Sequence, residues 1–261
     1  FGANKNAGKI SYFSSWGLTP EGNIKPDITA PGGHIFSTLN SGTYGDMSGT
    51  SMASPHVAAG IAIVKQRVER EFNDKIKGVE KYRLIKNLLM SAAEPISDKE
   101  SKWYCSPRQQ GAGLMNLDAA VKTPAVFEGT NGIASINLGN VNGGEISVTG
   151  KIRNLTDRKL TYTLRGVLNT DKVKDGKVLL TPMHLADSDR QTITIEGGQS
   201  ADFTVKMQVP ADFDPGKEMK NGFFTEGFIF AHSDNEADPE ISIPYVGFCG
   251  NFQKLNVIEK P

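Results

Sequence analysis

An α/β segment followed by an all-β sandwich is the fold class that three features of this 261-residue sequence predict. Apolar residues first repeat at helical spacing, as in Val57, Ile61, Val64 and Val68. After Thr123-Pro124 the period changes to two, in short runs such as Ile146, Val148 and Ile152. The 28 glycines and 13 prolines punctuate both halves with turns. The boundary is expected near residues 122–126, giving domains of 1–123 and 124–261, and the length suits one large domain or two ordinary ones.

In chain order, Lys9–Phe13 reads as a short strand. Residues 25–39, with two prolines and a Gly-Gly pair, read as loop with short extended pieces. A helix is expected from Gly49 to Glu71. Its N-terminal end is small and apolar all round, which predicts burial there; its charged far end should emerge into water. A second helix, Val79–Ala92, should carry Tyr82, Ile85, Leu88 and Leu89 on one stripe. Residues 92–113 read as a long loop, and Gly113–Val121 as a short helix opened by a tight turn. Alternation then places strands at 144–152, 159–164, 191–196, 202–209, 227–230 and 240–248. The charged stretches 169–177 and 232–240 read as surface loops.

Lys+Arg and Asp+Glu both number 29. A chain so balanced lacks the clustered positive charge of a general nucleic-acid or anionic-membrane binder. No apolar run approaches the roughly 18 residues of a membrane span. The chain starts at Phe1 without a signal-peptide pattern, which reads as a processed product or a piece of a longer chain. Cys105 and Cys249 form neither a disulfide framework nor a zinc pattern, so two unpaired thiols are expected.

The chemistry centres on "GTSMASPHVAAG", Gly49–Gly60. Ser51 falls near the first turn of the first long helix, where free backbone N–H groups and partial positive charge gather. A serine there can attack a carbonyl while the N–H groups of the first turn, at Thr50 and Ser51, support the oxyanion. Pro55 is expected within the first turn, where its missing N–H costs nothing. Gly49, Ala53, Ala58, Ala59 and Gly60 remove bulk. From position alone, a Ser or Thr at a helix start reads as a plain N-cap.

The wider pattern favours chemistry. The segment resembles the nucleophile motif of the subtilisin-like serine peptidases. "FSSWG" with "NIKPDITAPGGHI" is similar to the block preceding that motif, and "QGAGLMNLDAAV" to the block closing the catalytic domain. Three ordered matches span most of residues 9–121. Within the family, "ISYFSSWGLTPEGNIKPDI" and "MKNGFFTEGFIF" with "ISIPYVGFCGNF" resemble streptococcal and lactococcal cell-envelope proteinases. The resemblance implies the C-terminal part of a subtilisin-like catalytic domain followed by a fibronectin-III-like sandwich. It also implies a secreted, wall-attached serine endopeptidase of Gram-positive bacteria acting on protein or peptide substrates through an acyl-enzyme on Ser51.

A serine needs a base, usually a histidine held by an acid. His56 is five residues on; on a helix the two side chains point about 140° apart with roughly 7.5 Å of rise, so they cannot share a hydrogen bond. His56 is therefore read as a packing residue. His34, His184 and His232 are weak candidates. The resemblance implies that the catalytic Asp and His, and an oxyanion Asn, lie in a segment upstream. The chain alone should be inactive and should partner that N-terminal segment, covalently or as a nicked complex. Asp27 belongs to another family block and is expected to fix a turn through backbone N–H groups. No cofactor is required for the chemistry. Structural calcium belongs, if anywhere, to the parent enzyme, with no ligand assignable here; "DNEADPE" does not fit an EF-hand loop. The sandwich is a spacer or an exosite, and fold analogy does not decide between them. The rival reading for the whole chain is a non-catalytic binding or adhesion module on a protease-derived scaffold.

Overall fold

The computed structural model describes residues 8–72 and 75–251, so the outermost ends of the two expected domains lie outside the described residues. A hairpin of β1 (Ile35–Thr38) and β2 (Tyr44–Met47) leads into α1 (Thr50–Phe72). Then come α2 (Gly78–Ser91), the one-turn α3 (Pro107–Gln110) and α4 (Leu117–Lys122). The strands that follow are β3 (Ala125–Glu128), β4 (Ile136–Val141), β5 (Glu145–Asn154), β6 (Leu160–Lys174) and β7 (Lys177–Asp187), then β8 (Gln191–Ile195), β9 (Ser200–Gln208), β10 (Gly222–Ser233) and β11 (Ile241–Gly250).

The later strands form two sheets. One runs β4-β11-β10-β6-β7, with β8 also paired to β6; the other is β3-β5-β9. Every pair is antiparallel except β4 with β11. β5 and β9 alternate buried and exposed residues, as strands with one wet face must. Their inward residues Ile146, Val148, Phe203 and Val205 share a core with Leu160, Tyr162, Ile229 and Tyr245 from the larger sheet. The Tyr245 hydroxyl donates to the Val167 carbonyl at 2.9 Å, which satisfies a phenol buried in that core.

β6, β10 and β11 are buried on both faces over much of their length. The second face is covered by the segment between α2 and α4. Tyr104 packs its ring on Phe228 and Phe230, and Met90, Ala93 and Ala112 join the sandwich core. The helical part has its own core, where Val64 and Val68 of α1 meet Leu84, Ile85, Leu88 and Leu89 of α2 and Ala119 and Ala120 of α4.

Several expectations need correcting. Lys9–Phe13 is turn and irregular backbone, with Ser14 N–H donating to the Ser11 carbonyl and Tyr12 97% exposed; no described strand lies beside it to pair with. The burial gradient of α1 is the reverse of that expected. Ser51, Ala58, Ala59, Ile61 and Ile63 are exposed, and the buried residues are Gly60, Val64, Arg67 and Val68. Burial follows available partners rather than composition, and the partners offered by α2 and α4 meet α1 from Gly60 onward. Arg67 is buried because its guanidinium donates to the Ala120 and Thr123 carbonyls and to Glu71. Tyr82 is 69% exposed, so it does not belong to the buried stripe of α2. The loop 92–113 contains α3, and β3, β4 and β7 escaped prediction. Residues 169–177 are not a loop but the arms of the β6–β7 ribbon, turning at Asp175-Gly176.

Candidate active site

Ser51 is the second residue of α1 and is solvent-exposed. The helix starts here because the Gly49 carbonyl accepts from Met52 and Ala53 N–H. Gly49 N–H in turn donates to the Gly32 carbonyl at 2.8 Å, tying the Pro31-Gly32-Gly33 loop to the head of the helix. A side chain at Gly32 would meet the Gly49 carbonyl at 2.7 Å and the Ala53 Cβ at 3.1 Å. Small residues here thus serve a close approach of loop to helix.

The backbone N–H groups of Thr50 and Ser51 fall in the first turn, where a helix offers no carbonyl four residues back. Pro55 lies in the second turn rather than the first. Its ring therefore denies the Ser51 carbonyl its usual i+4 donor, leaving a second polar backbone group at the same residue. Among the described residues no side chain hydrogen-bonds Ser51 Oγ. His56 is half-buried, and its Nδ1 lies 2.8 Å from the Met52 carbonyl, one turn back along its own helix.

The other histidines are placed elsewhere. His34 sits 3.3 Å from Asp46 across the β1–β2 hairpin, and its N–H donates to Ser48 Oγ. His184 on β7 stacks on Trp103 at 3.9 Å between ring centroids and lies 3.2 Å from Asn169 Oδ1. Burial lowers its affinity for a proton; Asp187 opposes this and Arg165 adds to it. His232 at the end of β10 lies 3.6 Å from Glu240. Ser51 is thus brought together with helix-start backbone and not with an imidazole.

Asp27 is structural by a different route from the one expected. Its carboxylate binds Lys25 and, at 2.9 Å, Lys86 of α2, while its carbonyl accepts from Ala112 N–H. Burial disfavours its charge, yet the two ammonium groups hold the carboxyl below its usual range. Cys105 and Cys249 are unpaired thiols, and burial pushes Cys105 up to about 11, with Asp98 adding to it. Among the described residues no three His, Cys, Asp or Glu side chains gather as a metal cage, and no helix is long and apolar enough to cross a membrane.

Sequence reasoning missed a buried polar constellation centred on Arg108. Arg108 of α3 donates to Glu226 on β10 through Nε (2.8 Å) and Nη2 (2.9 Å), and to Asp171 on β6 at 2.7 Å. Ser106 Oγ donates to the same Glu226, and the guanidinium lies 3.9 Å from the centre of the Phe224 ring. The three charged side chains are all nearly buried. Partners 63 and 118 residues apart leave no local signal.

Comparison with known proteins fixes the family. Residues 2–130 match the subtilase family (Peptidase_S8), and residues 136–246 match an Fn3-like domain. The chain is a subtilase segment joined to an Fn3-like domain. It is 39% identical over 256 residues to the C5a peptidase of Streptococcus pyogenes serotype M1, a match covering 97% of this chain and 21% of that protein. It is 32% identical to a PII-type proteinase of Lacticaseibacillus paracasei and 31% identical to one of Lactococcus lactis subsp. cremoris, each over 96% of this chain and 14% of the relative. The chain therefore spans about a fifth or less of the curated relatives it matches.

Proposed function

We propose that this subtilase segment carries the nucleophile of a serine endopeptidase, and that the nucleophile is Ser51. The observation that carries the reading is an exposed serine at the start of α1, its hydroxyl without a side-chain partner among the described residues, inside the stretch that matches the subtilases. In this reading Ser51 Oγ adds to a peptide carbonyl and its proton passes to a histidine base. The tetrahedral oxyanion is held by first-turn N–H groups at Thr50 and Ser51 and by an asparagine. The amine leaves with the proton, and water hydrolyses the resulting ester. The histidine, its orienting aspartate and the asparagine come from a segment upstream of this one, because none of the described histidines reaches Ser51.

The exposed apolar surface beside the site supports that partnership. Phe36 and Tyr44 stack in the open on the hairpin, where Met47 is also exposed, and Ile61 and Ile63 are exposed along the helix it leads into. Apolar surface of this kind marks an interface rather than a finished exterior. The proposed setting, by analogy with the relatives, is outside a Gram-positive cell at its wall, with a protein or peptide substrate and no cofactor in the chemical step. The test is labelling of the intact protein with a fluorophosphonate probe. Modification of Ser51 is expected in the intact protein, and none in this chain alone. An intact, folded protein that leaves Ser51 unmodified would refute the assignment and favour the binding or adhesion module instead.

A further inference from the structure

A cavity of about 340 Å³ opens at the seam between the helical part and the sandwich. One wall comes from the segments flanking the helices, with Glu94, Tyr104 and Asn116; the other comes from the β10–β11 hairpin, with Phe230, Glu240 and Ser242. Its two halves are more than a hundred residues apart in sequence, and the peptidase reading uses neither.

Three properties define its chemistry. The side chain of Ser242 points into the seam, because Ser242 is the register partner of Phe230 and directly opposed residues project to the same face. Phe230 is the residue that Tyr104 covers from the other side. Ser242 is 2% exposed, and its hydroxyl has no hydrogen-bond partner among the described residues. A buried hydroxyl left unsatisfied signals a missing partner. Next, Glu94 and Glu240 stand at the open side, and among the described residues neither is paired with Lys or Arg. Glu94 accepts from Asn116 Nδ2 at 2.6 Å, which fixes its carboxylate in place; Glu240 lies 3.6 Å from His232. Finally, the aromatic rings of Tyr104 and Phe230 line the space between hydroxyl and carboxylates.

We infer that this cavity binds the cationic side chain of a lysine or arginine presented by a polypeptide. An aliphatic stem lies against Tyr104 and Phe230, as long cationic side chains do on apolar surface. The ammonium or guanidinium meets the two carboxylates and the Tyr104 ring, since the Phe230 ring already carries the Arg165 guanidinium at 4.7 Å, and one of its N–H groups satisfies Ser242. The lining contains no Lys or Arg; Arg165, which lies over the Phe230 ring, is paired with Asp187 at 3.6 Å. A free amino acid would bring an α-carboxylate that nothing there receives, whereas a residue within a peptide chain has none. The site stands independently of the catalytic assignment of Ser51.

Calorimetric titration of the intact protein carrying Ser51→Ala, which removes turnover, tests the inference. The probes are N-acetyl-lysine methylamide, N-acetyl-arginine methylamide, the neutral N-acetyl-norleucine methylamide and the free diamine cadaverine. Both cationic amides should bind, and the norleucine analogue should not. The double variant Glu94→Gln/Glu240→Gln, which keeps shape and hydrogen bonding, should weaken lysine binding about tenfold or more. Ser242→Ala should weaken it several-fold, with the unfolding temperature unchanged. Equal binding of the norleucine analogue would overturn the inference. So would unchanged affinity in the double variant, or no binding of either cation at millimolar concentration. Cadaverine binding tighter than the capped lysine would overturn its assignment to a polypeptide.

Discussion

Ser51 and His56 look like a pair in the sequence, but in the fold they are a nucleophile candidate and a neighbour committed elsewhere. The imidazole is held by the Met52 carbonyl inside α1, while Ser51 Oγ faces solvent. If Ser51 is the nucleophile, Ser51→Ala in the intact protein should lower kcat by about six orders of magnitude and abolish fluorophosphonate labelling. His56→Gln should keep the labelling, because it removes only a helix-internal contact. Loss of labelling in a folded His56→Gln protein would show that the imidazole reaches the reacting atoms. Asp27 teaches a related point: an acid in a Pro-flanked segment suggested a turn, and the fold uses it instead to bind Lys86 of α2.

At the scale of elements, the subtilase segment is held together by close backbone approaches as much as by apolar packing. Gly111 closes α3 at φ 63°, and a Cβ there would meet the Pro26 carbonyl oxygen at 2.3 Å and the Asp27 carbonyl carbon at 2.4 Å. Backbone cannot yield as a flexible side chain does. Gly111→Ala combines a strained conformation with a clash and should destabilise the intact protein by about 3 kcal/mol or more, read as a lower denaturant midpoint. Gly60 makes the contrast. A Cβ there would press on the ends of the Met115 and Leu117 side chains, at 2.7 and 2.9 Å, which can turn aside. Gly60→Ala should therefore cost less than Gly111→Ala in the same measurement.

For the whole molecule, the seam between the two parts decides behaviour. It combines a shared apolar core with the buried Arg108–Glu226–Asp171 constellation. Removing the cation strands two buried carboxylates, so Arg108→Met should destabilise the protein by about 3–5 kcal/mol. Asp171 carries a pH signature. Burial pushes its carboxyl up to about 6 from an ordinary 3.8; Arg108 pulls against this and Glu226 adds to it. A carboxyl raised in the fold favours the folded state when protonated. Its contribution is therefore present below about pH 3.8 and is lost as the pH rises through about 6. Thermal unfolding of Asp171→Asn compared with the wild type across that window should show the difference, with the variant lacking this fall. Parallel pH curves for the two proteins would refute the assignment.

Local pattern determined a great deal. The period of α1 and α2, the alternation of β5 and β9, and the long motif around Ser51 were all readable, because each depends on residues near one another in the chain. The family blocks gave the subtilase and Fn3-like character for the same reason. What the tertiary structure decided were matters of partnership. The apolar head of α1 is exposed and its charged half is packed, because burial requires something to pack against. The ribbon of β6 and β7 reads as a charged loop because its pairing is made across strands. Arg108, Glu226 and Asp171, and the cavity between Glu94 and Ser242, assemble from distant segments. No window of sequence contains them, since their chemistry exists only where the sandwich closes on the helical part.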